Sequence, residues 1–443
     1  MKHQLAPTDC PAHYYRRGTT RGRDAARLTT HGCCHRTHVR CLALASVIWI
    51  CAVPHNVSAQ DRWLTFVDVT VIDATGAPPQ PSMTVVIRDG RIERIGKAGS
   101  VAVPSGSQVV RGTGKYLIPG LWDMHVHLTE DDLAPLVAHG VIGVRDMGNA
   151  LAPVDVWRGR IAARGIVGPR IFRVGPILNG QEFGPEQITI RNEAEARAVV
   201  RVLKKVGVDA IKLHNQLPRE AYLALADEAQ KLALPFVGHV PQSVTPFEAA
   251  RAGQASLEHI QTLFEGQSPL KPDSEPQLFE LFATKGTVYD PTLVAYRGST
   301  EPQNVDPELL KKYPDLVPGR QKLFARFLEL VGAMNRAGVT LVAGTDLSGF
   351  KWISAGASLH DELALFVDAG LTPMQALQTA TRNPARFLRV EAGTIEVGKR
   401  ADVVLLDANP LEDIKHTRRI NAVVLDGTLF DRSRLNALRA SRR

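Results

Sequence analysis

The chain has 443 residues, 44% hydrophobic and 22% charged, which suits one large globular core plus a smaller lobe and excludes a disordered tail or a repeat array. Its net charge of +8 is uneven, because residues 1–59 carry eight basic residues (Lys2, Arg16, Arg17, Arg21, Arg23, Arg27, Arg36 and Arg40) against Asp9 and Asp24. The remainder is close to neutral, so no nucleic-acid partner is expected.

All five cysteines (Cys10, Cys33, Cys34, Cys41 and Cys51) lie in the same leading stretch. A basic segment at 36–40, an apolar run of about 13 residues at 41–53 and a closing Val57-Ser58-Ala59 have the order of a secretory signal peptide. Cleavage near Ala59 then gives a periplasmic or secreted protein whose mature chain lacks cysteine. The run is shorter than the ~20 residues of a membrane span, so no stable membrane anchor is expected. The His-rich, basic stretch before it reads as an over-extended start or a processed leader.

From residue 60 to 117, short β-branched runs at 64–73, 83–88, 91–95 and 109–111 predict antiparallel strands, with Asp89-Gly90 as a tight turn. From 118 to 388 the pattern changes to apolar runs alternating with amphipathic stretches, the signature of βαβ units. Eight such runs, at 121–126, 141–146, 171–177, 210–214, 236–240, 256–260, 287–292 and 340–346, predict an α/β fold of the (β/α)8 TIM-barrel type. Helices are predicted over 192–206, 219–232 and 358–369, the last with Ser358 and Asp361 as its N-terminal cap. Strand character returns at 393–406 and 422–425, with Asp426-Gly427 as a further turn. Residues 389–443 are therefore expected to complete a small β-sandwich lobe with the N-terminal strands, ending in a solvated basic tail.

In a TIM barrel the reacting groups stand at the carboxyl ends of the strands. The first run ends in His125-Val126-His127, two imidazoles on one face of a strand. The fourth offers Lys212 and His214, the fifth His239, the sixth His259, the seventh Tyr289 and the eighth Asp346. A single such His is more often a bonded structural residue, but ligand types at one level on five strands predict a metal site. Arg145 and Asp146 on the second run read as an internal ion pair. His139 reads as the end of a helix, and His360 and His416 as surface residues.

The stretches Leu117 to His127, Asp209-Ala210-Ile211-Lys212, Gly238-His239-Val240, Ser256-Leu257-Glu258-His259, Gly344-Thr345-Asp346 and Gly393 to Asp402 resemble the amidohydrolase superfamily, in its imidazolonepropionase-related and prolidase-like (Xaa-Pro or aryldipeptidase-like) branch. The resemblance covers about residues 63 to 430. It implies a hydrolase that splits a C–N bond of a small amide, dipeptide-like or cyclic amide substrate through a metal-activated hydroxide. It further implies two divalent ions, expected as Zn2+, one on His125 and His127 and one on His239 and His259. Lys212, carboxylated by CO2, would bridge them, and Asp346 would ligate the first and act as acid and base. His214 and Tyr289 are candidate substrate contacts, with second-sphere support and rim packing as their alternatives.

Many prolidase-like relatives place a Ser-Gly-Gly loop after the lysine, where this chain has His214-Asn215-Gln216-Leu217-Pro218. Deaminases of the superfamily place a Glu a few residues after the fifth-strand His, where this chain has His239-Val240-Pro241-Gln242; that missing acid and the presence of Lys212 argue against deamination. The alternatives are a one-metal imidazolonepropionase-like cyclic amidase or lactonase, a Schiff-base lyase at Lys212, and a decayed structural barrel. A homo-oligomer is compatible with the sequence, and the rim loops 179–189 and 298–316 carry no readable specificity.

Overall fold

The computed structural model describes residues 63–182, 184, 186–265 and 269–440. The leader and its cleavage site lie outside the described residues. Strands β1 (Trp63–Val71), β2 (Gln80–Arg88) and β3 (Arg91–Lys97) form an antiparallel meander. The turn between β2 and β3 has positive φ at both central residues, 48° at Asp89 and 76° at Gly90, the backbone that closes a two-residue hairpin. On its other edge β1 takes β4 (Gln108–Arg111) along its first half and β5 (Tyr116–Pro119) along its second.

Parallel pairing begins with β6 (Leu121–Val126), β7 (Val141–Asp146) and β8 (Arg170–Arg173) as one arc. A second arc contains β9 (Ile177–Asn179), β10 (Gln187–Thr189), β11 (Ile211–Leu213), β12 (Phe236–Gly238), β13 (Ser256–Glu258) and β14 (Val288–Asp290). Their spatial order is β10-β9-β11-β12-β13-β14. The single third strand expected over 171–177 is split into β8 and β9, with Gly175 at φ 73° between them. The eighth expected strand, 340–346, makes isolated parallel bridges only, Tyr289 with Leu341 and Val126 with Leu347. It thus lies between β14 and β6 without a regular ladder, because Asp346 and Ser348 adopt φ of 59° and 69° and break the pleat. One continuous closed sheet, as expected for the barrel, is not what the chain forms; it forms two arcs and an irregular segment.

Helices cover the arcs through apolar stripes. Helix Glu193–Val206 buries Ala196, Val199, Val200 and Leu203, a spacing of three to four residues that makes one face. The Asn192 side chain accepts from Glu195 N at its start, and Gly207, at φ 76°, ends it. Two expectations for the last barrel helix are corrected. It spans Ala357–Asp368, entered from Gly356 at φ 72°, so Ser358 lies inside the first turn and its hydroxyl accepts from Ser354 N. His360 is buried rather than superficial, with Nδ1 3.0 Å from Thr417 Oγ1 and Nε2 donating to the His139 carbonyl at 3.1 Å. The inward turn of the helix is set by Leu359, Leu363 and Phe366, and it carries His360 with it.

After the arcs, β15 (Val403–Leu406), β16 (Ile420–Leu425) and β17 (Thr428–Phe430) return to the first strands. β15 pairs antiparallel with β5, matching Val403 to Pro119 and Leu406 to Tyr116. The lobe expected as a sandwich is one forked eight-stranded sheet, branching where β4 and β5 share β1. Both faces of β15 are covered: Val403 and Leu405 join the lobe core with Phe66, Val85 and Leu117, whereas Val404 and Leu406 join the larger core. Period-two alternation therefore sends apolar side chains both ways, which explains a wholly apolar Val-Val-Leu-Leu strand. The tail expected to be solvated is helix Arg432–Ala440, anchored by buried Leu435 and by Arg439 donating to the Ala138 carbonyl. Among the described residues no helix is long and apolar enough to cross a membrane.

Candidate metal centre

Every candidate ligand stands at or just beyond the carboxyl end of a parallel segment. β6 projects His125 and, just past its end, His127; β11 carries Lys212; His239 and His259 directly follow β12 and β13. His125 Nε2 lies 3.3 Å from Lys212 Nζ and 3.7 Å from Asp346 Oδ1, and His127 Nε2 lies 3.4 Å from the same oxygen. The His125 and His259 rings are 4.5 Å apart, and His259 and His239 4.6 Å. His214 stacks on His239 at 4.3 Å.

Buried donor atoms of His125, His259 and Asp346 all come within 4.8 Å of one another. Their protonation fits a cation. Burial pushes the His259 and His214 imidazoles down to about 3, with the Lys212 charge adding to it, and drives His125 and His239 well below the usual histidine range. They therefore offer neutral lone pairs at pH 7. Burial alone would raise Asp346, but the hydrogen bond with His127 and the nearby imidazoles and Lys212 hold it at about 2, an anion. Burial lowers Lys212 to about 8. Three neutral imidazoles, an anionic carboxylate and a lysine whose burial eases loss of its proton are a donor set that suits a divalent metal ion.

The candidate ligands are fixed by groups that the sequence did not reveal. Asp123 accepts from Thr345 N at 3.0 Å, Thr345 Oγ1 at 2.7 Å and His125 N at 3.3 Å, tying the end of β6 to the segment bearing Asp346. His239 Nδ1 meets Asn215 Oδ1, and His259 Nδ1 lies 2.8 Å from Thr292 Oγ1. His259 (φ 67°) and Asp346 (φ 59°) both occupy the left-handed region, where the Asp346 N–H donates to the His125 carbonyl. Tyr289 is fully buried and donates to the His259 carbonyl at 3.1 Å, so of its two expected roles the packed one fits.

The expected Arg145–Asp146 pair is replaced by other contacts. Adjacent strand residues point to opposite faces, so Arg145 enters the interior and reaches Glu258 at 2.8 Å, while Asp146 accepts from Leu128 N and Asn149 N. The Arg145–Glu258 contact was out of reach of sequence reading because it joins β7 to β13, strands more than a hundred residues apart in the chain. The remaining surface assignment, His416, is half-buried with Nδ1 donating to the Asn409 carbonyl.

The chain as a whole has relatives among known proteins. The model of the Amidohydrolase family matches residues 116–430, and the chain belongs to that family. Ochratoxinase of Aspergillus niger is 25% identical over 303 residues, which is 66% of this chain and 56% of that protein. The chain thus spans little more than half the length of that curated relative. Among solved structures, a bottromycin amidohydrolase superposes with a TM-score of 0.70 at 25% identity, covering 86% of this chain and 90% of the other. A Xaa-Pro dipeptidase with methionine in its active site gives 0.69 at 22%, covering 83% and 100%.

Proposed function

We propose that the protein is a metal-dependent amidohydrolase that cleaves a C–N bond in a small amide, dipeptide-like or cyclic amide substrate. The observation that carries this reading is the convergence of polar donors: Lys212 and Asp346 lie 3.3 and 3.7 Å from His125, His127 lies 3.4 Å from Asp346, and donor atoms of His125, His259 and Asp346 come within 4.8 Å of one another. The names of the relatives agree with it. The same reading takes the two arcs and the segment 340–346 as one (β/α)8 barrel, supported by the two isolated bridges that flank that segment.

His125, His127, His239, His259, Lys212 and Asp346 would hold the metal, as two Zn2+ ions. When bound, such ions lower the pKa of water and polarise the scissile carbonyl. Asp346, held anionic, accepts the proton of the attacking water and returns it to the leaving nitrogen. Lys212, shifted toward neutrality, adds CO2 through its amine and releases one proton, so that the resulting carbamate presents two oxygens where an ammonium would repel cations. His214 lies beside His239 and faces the substrate.

A second reading has one ion and an unmodified Lys212, as in a cyclic amidase. It is favoured by the compactness of the His125, His259 and Asp346 group, which by itself defines one position.

Metal analysis of protein purified with bicarbonate and without chelator separates them. Two equivalents per chain, falling in Lys212→Ala, support the two-ion reading; one equivalent supports the other. No metal after reconstitution would falsify both. Removing metal with a chelator is expected to abolish hydrolysis of whichever dipeptides or N-acyl amino acids are turned over, with recovery on adding Zn2+.

A further inference from the structure

We propose that Glu258 and Arg145 form a positioning relay that fixes which nitrogen of His125 is free to bind metal; the inference rests on the metal-centre reading above. A neutral imidazole has one N–H and one lone pair, and the partner of the first nitrogen decides the role of the second. His125 Nδ1 lies 3.1 Å from Glu258 Oε2, and a carboxylate can only accept there. The proton therefore sits on Nδ1, and the lone pair on Nε2 faces Lys212 and Asp346.

Glu258 is itself immobilised. Arg145 donates through one nitrogen to both carboxylate oxygens at 2.8 Å, and Ser256 donates to Oε1. Arg145 is fixed in turn by donating from Nε to the Met124 carbonyl at 2.7 Å and from a second nitrogen to Ser256 Oγ at 2.8 Å, with the Phe387 ring 5.5 Å from its guanidinium carbon. Met124 immediately precedes His125. The guanidinium thus holds the backbone carbonyl before the ligand and the carboxylate behind its ring, so both the origin and the rotation of the imidazole are set. A buried ion pair serving packing alone would not need this third bond to His125.

The test compares metal affinity, by chelator competition, in unaltered protein, in Glu258→Gln, and in a Glu258→Leu/Arg145→Met double variant. The double variant removes the paired charges together, which proteins tolerate better than removing one; the buried Asp290 carboxyl that it leaves, 3.6 Å from Arg145, is pushed towards its neutral form by burial and does not need the guanidinium as a counter-charge. We expect it to keep a cooperative thermal transition while binding Zn2+ ten- to a hundredfold more weakly. A folded double variant with unaltered affinity overturns the relay and leaves the metal centre standing; an unaltered protein that binds no metal overturns both. If the variants do not fold, 15N-histidine NMR of the unaltered, zinc-loaded protein decides. A proton on His125 Nδ1 supports the relay, and metal coordination through Nδ1 overturns it.

Discussion

At the scale of single residues, burial decides which titratable groups keep their solution behaviour. His360, bonded to Thr417 and the His139 carbonyl, is pushed to about 3 by burial and by the Arg418 charge. Because its pKa in the fold lies below the unfolded value near 6.5, the unfolded chain binds the extra proton first and stability falls as pH drops from about 6.5 towards 3. One such group contributes about 1.4 kcal/mol per pH unit in that window. Urea unfolding at pH 7 and 4.5 is expected to show a shallower acid loss in His360→Gln than in the unaltered protein, and an equal loss would contradict the assignment. Asp346→Asn is expected to keep the far-ultraviolet spectrum and to lower kcat by roughly two to four orders of magnitude, the usual contribution of a positioned acid or base. The metal-ligand candidates were legible one by one because each ends an apolar run. Glu258 ends one too, but the reason to single it out is Arg145, more than a hundred residues earlier, and a one-dimensional pattern does not carry that contact.

Elements were legible where local chemistry decides them. Both Asp-Gly turns form with two positive φ values, at Asp89-Gly90 and Asp426-Gly427. Helix Pro246–Arg251, which the sequence reading did not single out, begins with a reciprocal pair in which Thr245 accepts from Glu248 N and Glu248 accepts from Thr245 N. Thr245→Ala should cost about 1 kcal/mol in chemical denaturation. The strand ends are less local. Gly238, just before His239, has φ 120°, and a Cβ there would stand 2.4 Å from the Leu213 carbonyl oxygen. Gly238→Ala is therefore expected to destabilise the protein by more than about 1 kcal/mol and to weaken metal binding through His239. A variant with unchanged unfolding midpoint would show that β11 and β12 can move apart freely. The missed break in the eighth segment has the same origin: an apolar run says that a strand is buried, not that its backbone stays extended.

For the whole molecule, the α/β alternation was readable and the way the sheets join was not. Sequence period reveals that a strand has an apolar face, but β15 has two, and only its neighbours show that it closes the lobe and floors the larger core at once. A chain truncated after residue 402 should therefore fail as a unit. It leaves β5 with an open edge and removes Val404 and Leu406 from the larger core. Soluble expression and a single thermal transition in such a truncation would show that the lobe's last strands are dispensable.

The pairing of β5 with β15 also orders events in time. Roughly 280 residues separate the two strands, and at ribosomal speeds of about 5 to 20 residues per second the first waits on the order of 15 to 60 s for its partner. During that interval the newborn chain carries an apolar ribbon with an unmatched row of amides and carbonyls, the kind of surface that captures another copy. The early strands are therefore where a chaperone is expected to act while β15 is still to come.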